Sequence, residues 1–404
     1  MRHPIKLAAA LGAVALAATA CGTTNNASSP AAAGGNLNDL PAQTSIPVPA
    51  DAANPAGDGK ATCPDGTTVA YIGAMTGPNA QLGINIYNGA QLAIDAHNKA
   101  NPGCQVTFKK YDTEGDPDKA TGPVTQATND KNIVGVLGLP FSGESQATGN
   151  IFEQADLVHI TPSATNPGLT KNGWTTLFRA LGNDNVQGPA VKQLADKLGA
   201  KKVYVVQDDS DYGIGLSGTA TAALGSAVAG TDKVTTGQKD FSAVVSKIMN
   251  AKPDAVFYSG YYAEAAPLDQ QLVSKGYKGA FIGPDGVKDD QFIKLAGSAS
   301  SNAYFTCPCL PGDLIPDFEK AYKAAFKAEP GTYSVEAYDA VTVLLKGIDA
   351  GKTTRPALKD FVATYNGQGL SKKLQWDKTG ELAETPVFGY KVENNKIVPV
   401  GSIG

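Results

Sequence analysis

The chain has 404 residues, 42% of them hydrophobic and 18% charged, with a formal net charge of −4. That balance describes an ordinary globular body with enough chain for two cores. It excludes a nucleic-acid binder, because no basic stripe is present to neutralise phosphates.

Arg2 and Lys6 precede an apolar run from Leu7 to Ala20. The run is shorter than the ~20 residues a permanent membrane helix needs, so residues 1–20 read as a secretory signal. Ala18-Thr19-Ala20-Cys21-Gly22 allows two endings. Cleavage at a small-residue site gives a free secreted or periplasmic protein. A lipobox reading, in which Ala18 replaces the usual Leu, makes Cys21 a lipidated N-terminus. We expect the second, which holds the protein at the outer face of the cytoplasmic membrane. Residues 21–61 are rich in Ala, Ser, Asn, Gly and Pro without apolar periodicity, and are expected to form a disordered tether.

Thr67 to Met75 reads as a strand, Tyr87 to Lys99 as a helix, and Gln105 to Tyr111 as a second strand. Asp116-Pro117 is a helix start. Ile133 to Leu139 and Asp156 to Thr161 are further strands. A second series follows, with strands at Val203–Gln207, Ala255–Ser259, Ala280–Ile282 and Asn302–Thr306. Helices are expected after Tyr212 and over Glu264–Lys275. Helices at Asp313–Ala328, Ser334–Ala350 and Pro356–Tyr365 precede a hairpin-like tail from Leu374. Two alternating series of similar size predict an α/β protein of two doubly wound parallel-sheet lobes.

Five cysteines divide into the lipid site and four that can pair, since export permits disulfides. Cys63 and Cys104 each lie just before a predicted strand. If those strands are parallel neighbours, a Cys63–Cys104 bridge is favoured. Cys307 and Cys309 flank Pro308 and either bond each other in a small ring or stay reduced. No His lies near them in sequence, so neither a metal nor a cofactor is expected.

Catalytic constellations are mostly absent. His97 and His159 read as structural residues on a helix face and inside a strand. Gly213-Ile214-Gly215-Leu216-Ser217-Gly218 matches a dinucleotide fingerprint in form. Asp208, Asp209 and Asp211 separate it from its strand and would repel a pyrophosphate. Polar and aromatic residues gather instead after predicted strands, where open α/β sheets bind ligands. These are Pro140-Phe141-Ser142-Gly143-Glu144, Thr161-Pro162-Ser163-Ala164-Thr165-Asn166-Pro167, Asp211-Tyr212-Gly213, Gly260-Tyr261-Tyr262 and Pro284-Asp285-Gly286. Donors for a carboxylate on one lobe, with an acid and aromatics on the other, fit a free amino acid.

Tyr71-Ile72-Gly73-Ala74-Met75-Thr76-Gly77-Pro78, the Thr161–Pro167 block, Asp240-Phe241-Ser242, Tyr258-Ser259-Gly260-Tyr261-Tyr262-Ala263-Glu264 and Leu374-Gln375-Trp376-Asp377 occur in that order. From about Thr67 to the end, the chain resembles the leucine/isoleucine/valine-binding proteins of bacterial ABC importers. The resemblance implies a type I periplasmic-binding fold whose lobes are joined by three hinge crossings. Residues 62–182 and 308–370 would form the first lobe, and 183–307 and 371–404 the second.

It further implies that Ser142 and Thr165 bind a ligand carboxylate, helped by amides around Ser142 and Ser163, with Phe141 and Ala164 on the same turns. Asp285 would hold the ammonium, and Tyr212 and Tyr261 would close over the ligand. Leu82 stands where leucine binders usually carry an aromatic, and Asp285 is one methylene shorter than the usual Glu. The expected function is capture of a branched-chain-like amino acid by a monomer, for delivery to an ABC permease. Rival readings are a ligand-sensing receptor domain, a binder of urea or short amides, and a hydrolase using Ser142 or Ser217 without a convincing base.

Overall fold

Valine- and isoleucine-rich runs bounded by polar turns become the central strands of two sheets in the computed structural model, which describes residues 38–383 and 386–403. In the first sheet, β1 (Thr68–Gly73), β2 (Thr107–Asp112), β3 (Ile133–Gly138), β4 (His159–Thr161) and β5 (Leu177–Arg179) are all parallel, in the order β2-β1-β3-β4-β5. β1 and β3 are buried at every position, as strands covered on both faces must be, whereas edge strand β2 is largely open to solvent. The intervening helices are α1 (Ala80–Ala100), α2 (Pro117–Asn129) and α3 (Ser142–Gln154). Asp116 caps α2 by accepting from the Asp118 amide, with Pro117 at the first helical position. α1 starts well before Tyr87, because Gln81, Gly83 and Asn85 dilute the apolar pattern of its first turns.

The second sheet is preceded by α4 (Asp184–Lys197). It takes β6 (Val203–Gln207), α5 (Asp211–Leu224), β7 (Val228–Lys233), α6 (Ser242–Ala251), β8 (Ala255–Ser259), α7 (Tyr262–Ser274), β9 (Ala280–Gly283), α8 (Asp290–Ala296) and β10 (Ala303–Cys307) in turn. The chain then returns to the first sheet. α9 (Pro316–Phe326) and α10 (Ser334–Asp349) lie against α1, and α11 (Arg355–Thr364) lies against β3. A short ribbon of β11 (Asn366–Gln368) and β12 (Lys373–Gln375) follows. The hairpin of β13 (Phe388–Glu393) and β14 (Lys396–Ser402) finally adds antiparallel to β10, giving the order β14-β13-β10-β9-β8-β6-β7.

The chain therefore passes between the sheets after β5, after β10, and between β12 and β13. Two acids of α10 gather these crossings. Glu336 accepts from the Lys372 ammonium and the Leu310 amide, each at 2.9 Å, and Lys372 also reaches the Ala180 carbonyl at 3.3 Å. Asp339 accepts the Leu370 and Ser371 amides at 2.8 and 2.7 Å. Residues 373–382, placed in the second lobe by sequence, lie instead against β5. The reason is local: the Trp376 indole donates to the Arg179 carbonyl at 2.7 Å, and the Arg179 amide donates to Gly380.

Cys63 and Cys104 form a disulfide with Cα atoms 4.7 Å apart, and Cys307 is bonded to Cys309. Cys21 and the expected signal lie outside the described residues. The expectation of a disordered tether up to residue 61 fails from Asn38 onward, because the extended chain finds acceptors and apolar surface on the body. The Asn38 amide donates to Leu198, Gln43 to Pro399 and Ala53 to Gln368. Leu40 packs beside the second sheet's core, and Ile46 beside Phe318 and Val335. No helix among the described residues is long and apolar enough to cross a membrane.

Candidate functional site

Loops leaving the C-terminal ends of β3 and β4 face turns leaving β6, β8 and β9. After β3, Ser142 is the first residue of α3, whose leading amides have no acceptor within the helix. Glu144 folds back to accept from the Phe141 amide at 3.3 Å. The β4 loop is laced to this turn. Thr161 donates to the Leu139 carbonyl at 2.8 Å and accepts from the Ala164 amide at 2.9 Å. Ser163 spends its hydroxyl on Pro140 at 2.8 Å and its amide on Thr161 at 3.4 Å, so it offers less to a ligand than the sequence suggested. Ser142 accepts from the Asn166 amide at 3.2 Å. Thr165 is fully buried, and its hydroxyl makes no complete hydrogen bond.

On the other sheet, Asp208 organises the turns. It accepts from the Ser210 amide and hydroxyl, and its carboxylate fills the places where side chains at Gly213 and Gly260 would stand. That leaves Tyr212 and Tyr261 with rings 5.1 Å apart. Asp285 is buried among donors: the Tyr212 hydroxyl, Gln187 at 2.8 Å and the Tyr333 hydroxyl at 2.7 Å. Gly213 and Gly215 lie inside α5 rather than in a phosphate-binding turn.

The two sets meet directly. Phe141 and Tyr261 are edge-to-face at 4.8 Å, and Asn166 donates to the Asp211 carbonyl at 2.7 Å. Asn85 donates to Asp289 at 2.9 Å, beside a groove of about 570 Å³ between the lobes lined by Lys288, Thr332 and Tyr390.

Charge is unevenly answered. Asp184 opens α4, its amide bonds the Thr165 carbonyl at 3.0 Å, and neither of its carboxylate oxygens makes a complete hydrogen bond. Burial pushes its carboxyl up to about 8, with Thr165 and Arg179 opposing and Asp285 adding to the rise. Burial likewise raises Asp285 against its three donors, Asp208 to about 6 and Glu144 to about 7. Arg179 is held by Glu381. Asp184 and Thr165 thus lie side by side, while Asp285 is held by its three donors.

Phe141, Ser142, Ser163, Ala164 and Thr165 come together, and Tyr212, Tyr261 and Asp285 oppose them. Leu82 is a fully buried core residue of α1, with no hydrogen bond or ring contact from its side chain to this cluster. Asp184, Gln187, Tyr333 and Arg179 were missed. Only Asn183-Asp184, a cap signal, could have flagged α4. Among the described residues no serine is paired with a histidine: His97 bonds Asp349 at 2.8 Å, His159 stacks on Phe152 at 4.1 Å, and Ser217 bonds Gln207.

A family model described as periplasmic binding protein matches residues 66–396. The chain is 33% identical over 330 residues to a leucine-, isoleucine-, valine-, threonine- and alanine-binding protein of Pseudomonas aeruginosa, covering 79% of this chain and 87% of that one. It is 32% identical over 348 residues to a leucine-specific-binding protein of Salmonella typhimurium, covering 83% and 93%. Among solved structures, the branched-chain amino acid transporter substrate binding protein LivJ of Streptococcus pneumoniae, in complex with isoleucine, matches with a TM-score of 0.77 at 27% identity. That match covers 82% of this chain and 97% of LivJ.

Proposed function

The chain belongs to the periplasmic binding protein family, and from that premise we propose that it captures a free aliphatic amino acid between its lobes and presents it to an ABC permease. Like those relatives it is a solute-binding protein and not an enzyme. In this reading the α3 amides, Ser142 and Thr165 receive the ligand carboxylate. Asp285 and Asp184 receive the ammonium. Phe141, Tyr212 and Tyr261 wall the cleft. Export and anchoring through Cys21 would place the protein beside its permease.

The observation that carries the reading is a pair of buried acids, Asp184 and Asp285, gathered with the buried Thr165 hydroxyl, which lies beside Asp184 and opposes the rise of its carboxyl. A zwitterion stripped of water loses several kcal/mol per charge unless each end is paired and hydrogen-bonded. Charge-assisted hydrogen bonds of about 1.5–3 kcal/mol each can offset that loss. An aromatic acid or a short amide brings no cation to answer the two carboxyls. Closure then follows from ligand contacts made to both lobes at once, which favour the closed state over the open one.

Isothermal calorimetry of the mature chain against the twenty amino acids, urea, short amides and benzoate tests this. Saturable heat with one or a few aliphatic amino acids supports it. Binding of benzoate or amides with no response to any amino acid overturns it.

A further inference from the structure

Arg179 ends β5 with its side chain completely buried. Its guanidinium holds Glu381 through Nε and Nη2 at 3.1 and 3.0 Å. The remaining donors go elsewhere. Nη1 donates to the Ala164 carbonyl, and Nη2 donates to the Asn166 carbonyl at 3.1 Å. These carbonyls flank Thr165, whose own carbonyl accepts from the Asp184 amide. Three successive carbonyls are therefore turned to fixed donors, and the Thr165 hydroxyl lies beside the Asp184 carboxyl.

We propose that Arg179, neutralised by Glu381 from the distant tail, is a positioning residue that fixes the Thr165 loop in its ligand-receiving conformation. The proposal rests on the amino-acid-binding reading above. Only a planar five-donor fork can serve a carboxylate and two carbonyls in one place; the single ammonium of a lysine cannot reproduce that geometry. A buried guanidinium also needs its anion, and Glu381 is itself steadied by the Thr170 hydroxyl at 2.8 Å. The tail also meets Arg179 through contacts that do not use its side chain. The Arg179 backbone already bonds Gly380 and the Trp376 indole, so the guanidinium adds control of the loop.

The test compares Arg179→Lys, Glu381→Gln and Trp376→Phe in the mature chain. Three quantities are read: melting temperature, amide hydrogen exchange of residues 163–167 without ligand, and calorimetric affinity for the tightest amino acid found. Arg179→Lys and Glu381→Gln are expected to speed exchange at Thr165 and Asn166 at least tenfold and to weaken affinity at least tenfold. Trp376→Phe, which removes a tail contact alone, should leave affinity within twofold. Arg179→Ala should regain affinity in millimolar guanidinium chloride and not in equal sodium chloride. Unchanged loop exchange in Arg179→Lys, or equal loss of affinity in Trp376→Phe, overturns the proposal. If the unsubstituted protein binds no amino acid, the functional reading fails by itself, while the exchange measurement still decides whether Arg179 holds the loop.

Discussion

The Tyr333 hydroxyl, at the N-terminus of α10 on the first sheet's side, donates to Asp285 of the second sheet at 2.7 Å. Tyr333 occupies a left-handed backbone position, φ 69°, directly before the helix. One hydrogen bond therefore orients the acid and joins the lobes. Tyr333→Phe removes it while keeping the ring. A lost hydrogen bond to a charged group costs about 1.5–3 kcal/mol, so calorimetry should show at least tenfold weaker binding of the preferred amino acid. Affinity within twofold of the original would remove Tyr333 from the account.

The two ends of the ligand should respond separately. Asp285→Ala leaves a buried ammonium without its partner and should cost at least ~2 kcal/mol. Thr165→Val keeps the shape and removes the hydroxyl, for a loss of roughly 1–2 kcal/mol. Equal binding by either variant displaces that anchor from its assigned end.

Affinity should also depend on pH. Asp184 is raised to about 8 by burial, so below that pH it holds a proton in the empty site. An arriving ammonium favours the ionised carboxylate, and capture then releases the proton. Affinity should rise with pH up to about 8 and level off there. Asp184→Asn should flatten the profile measured by calorimetry at fixed ionic strength. A profile unchanged by the substitution rejects the coupling.

Stability has its own pH signature at His97, whose ring meets Asp349 at 2.8 Å between α1 and α10. Burial works to lower its pKa, but the Asp349 and Asn98 hydrogen bonds outweigh this and leave it raised. A raised native value means a contribution fully present below the unfolded pKa of about 6.5 and lost as pH climbs through the native one. Melting temperatures from pH 5.5 to 8.5 should therefore fall less steeply in His97→Gln than in the unsubstituted chain.

The Cys63–Cys104 bridge closes a loop with a sequence separation of 41. The chain-entropy model assigns such a loop about 3–4 kcal/mol. Cys63→Ser with Cys104→Ser should lower the urea midpoint accordingly. The Cys307–Cys309 pair encloses so little chain that its loss should move the midpoint much less.

Much of the architecture was legible because central strands of a parallel sheet declare themselves. Thr68–Gly73, Ile133–Gly138 and Ala255–Ser259 are short apolar runs bounded by turns. α4 was not legible, since Gln187, Gly188 and Pro189 interrupt its apolar stripe. The grouping of residues that follow strands, such as Ser142, Thr165, Tyr212 and Asp285, was legible. Side-chain pairings across long separations were not legible. Nothing near Arg179 in sequence points to Glu381, and nothing near Asp285 points to Tyr333. The Ser163 hydroxyl donates to the Pro140 carbonyl, a local use that the sequence does not show.

The segment from Asn38 to Ala53 has a mechanical consequence. It is stitched to Leu198 and Pro399 on one jaw and to Gln368 on the other. Spreading the jaws must draw this seam taut or unpick an end, so a protein trimmed to the family match at residue 66 would swing on three covalent straps alone. With residues 38–53 in place, a noncovalent seam joins the two sides as well.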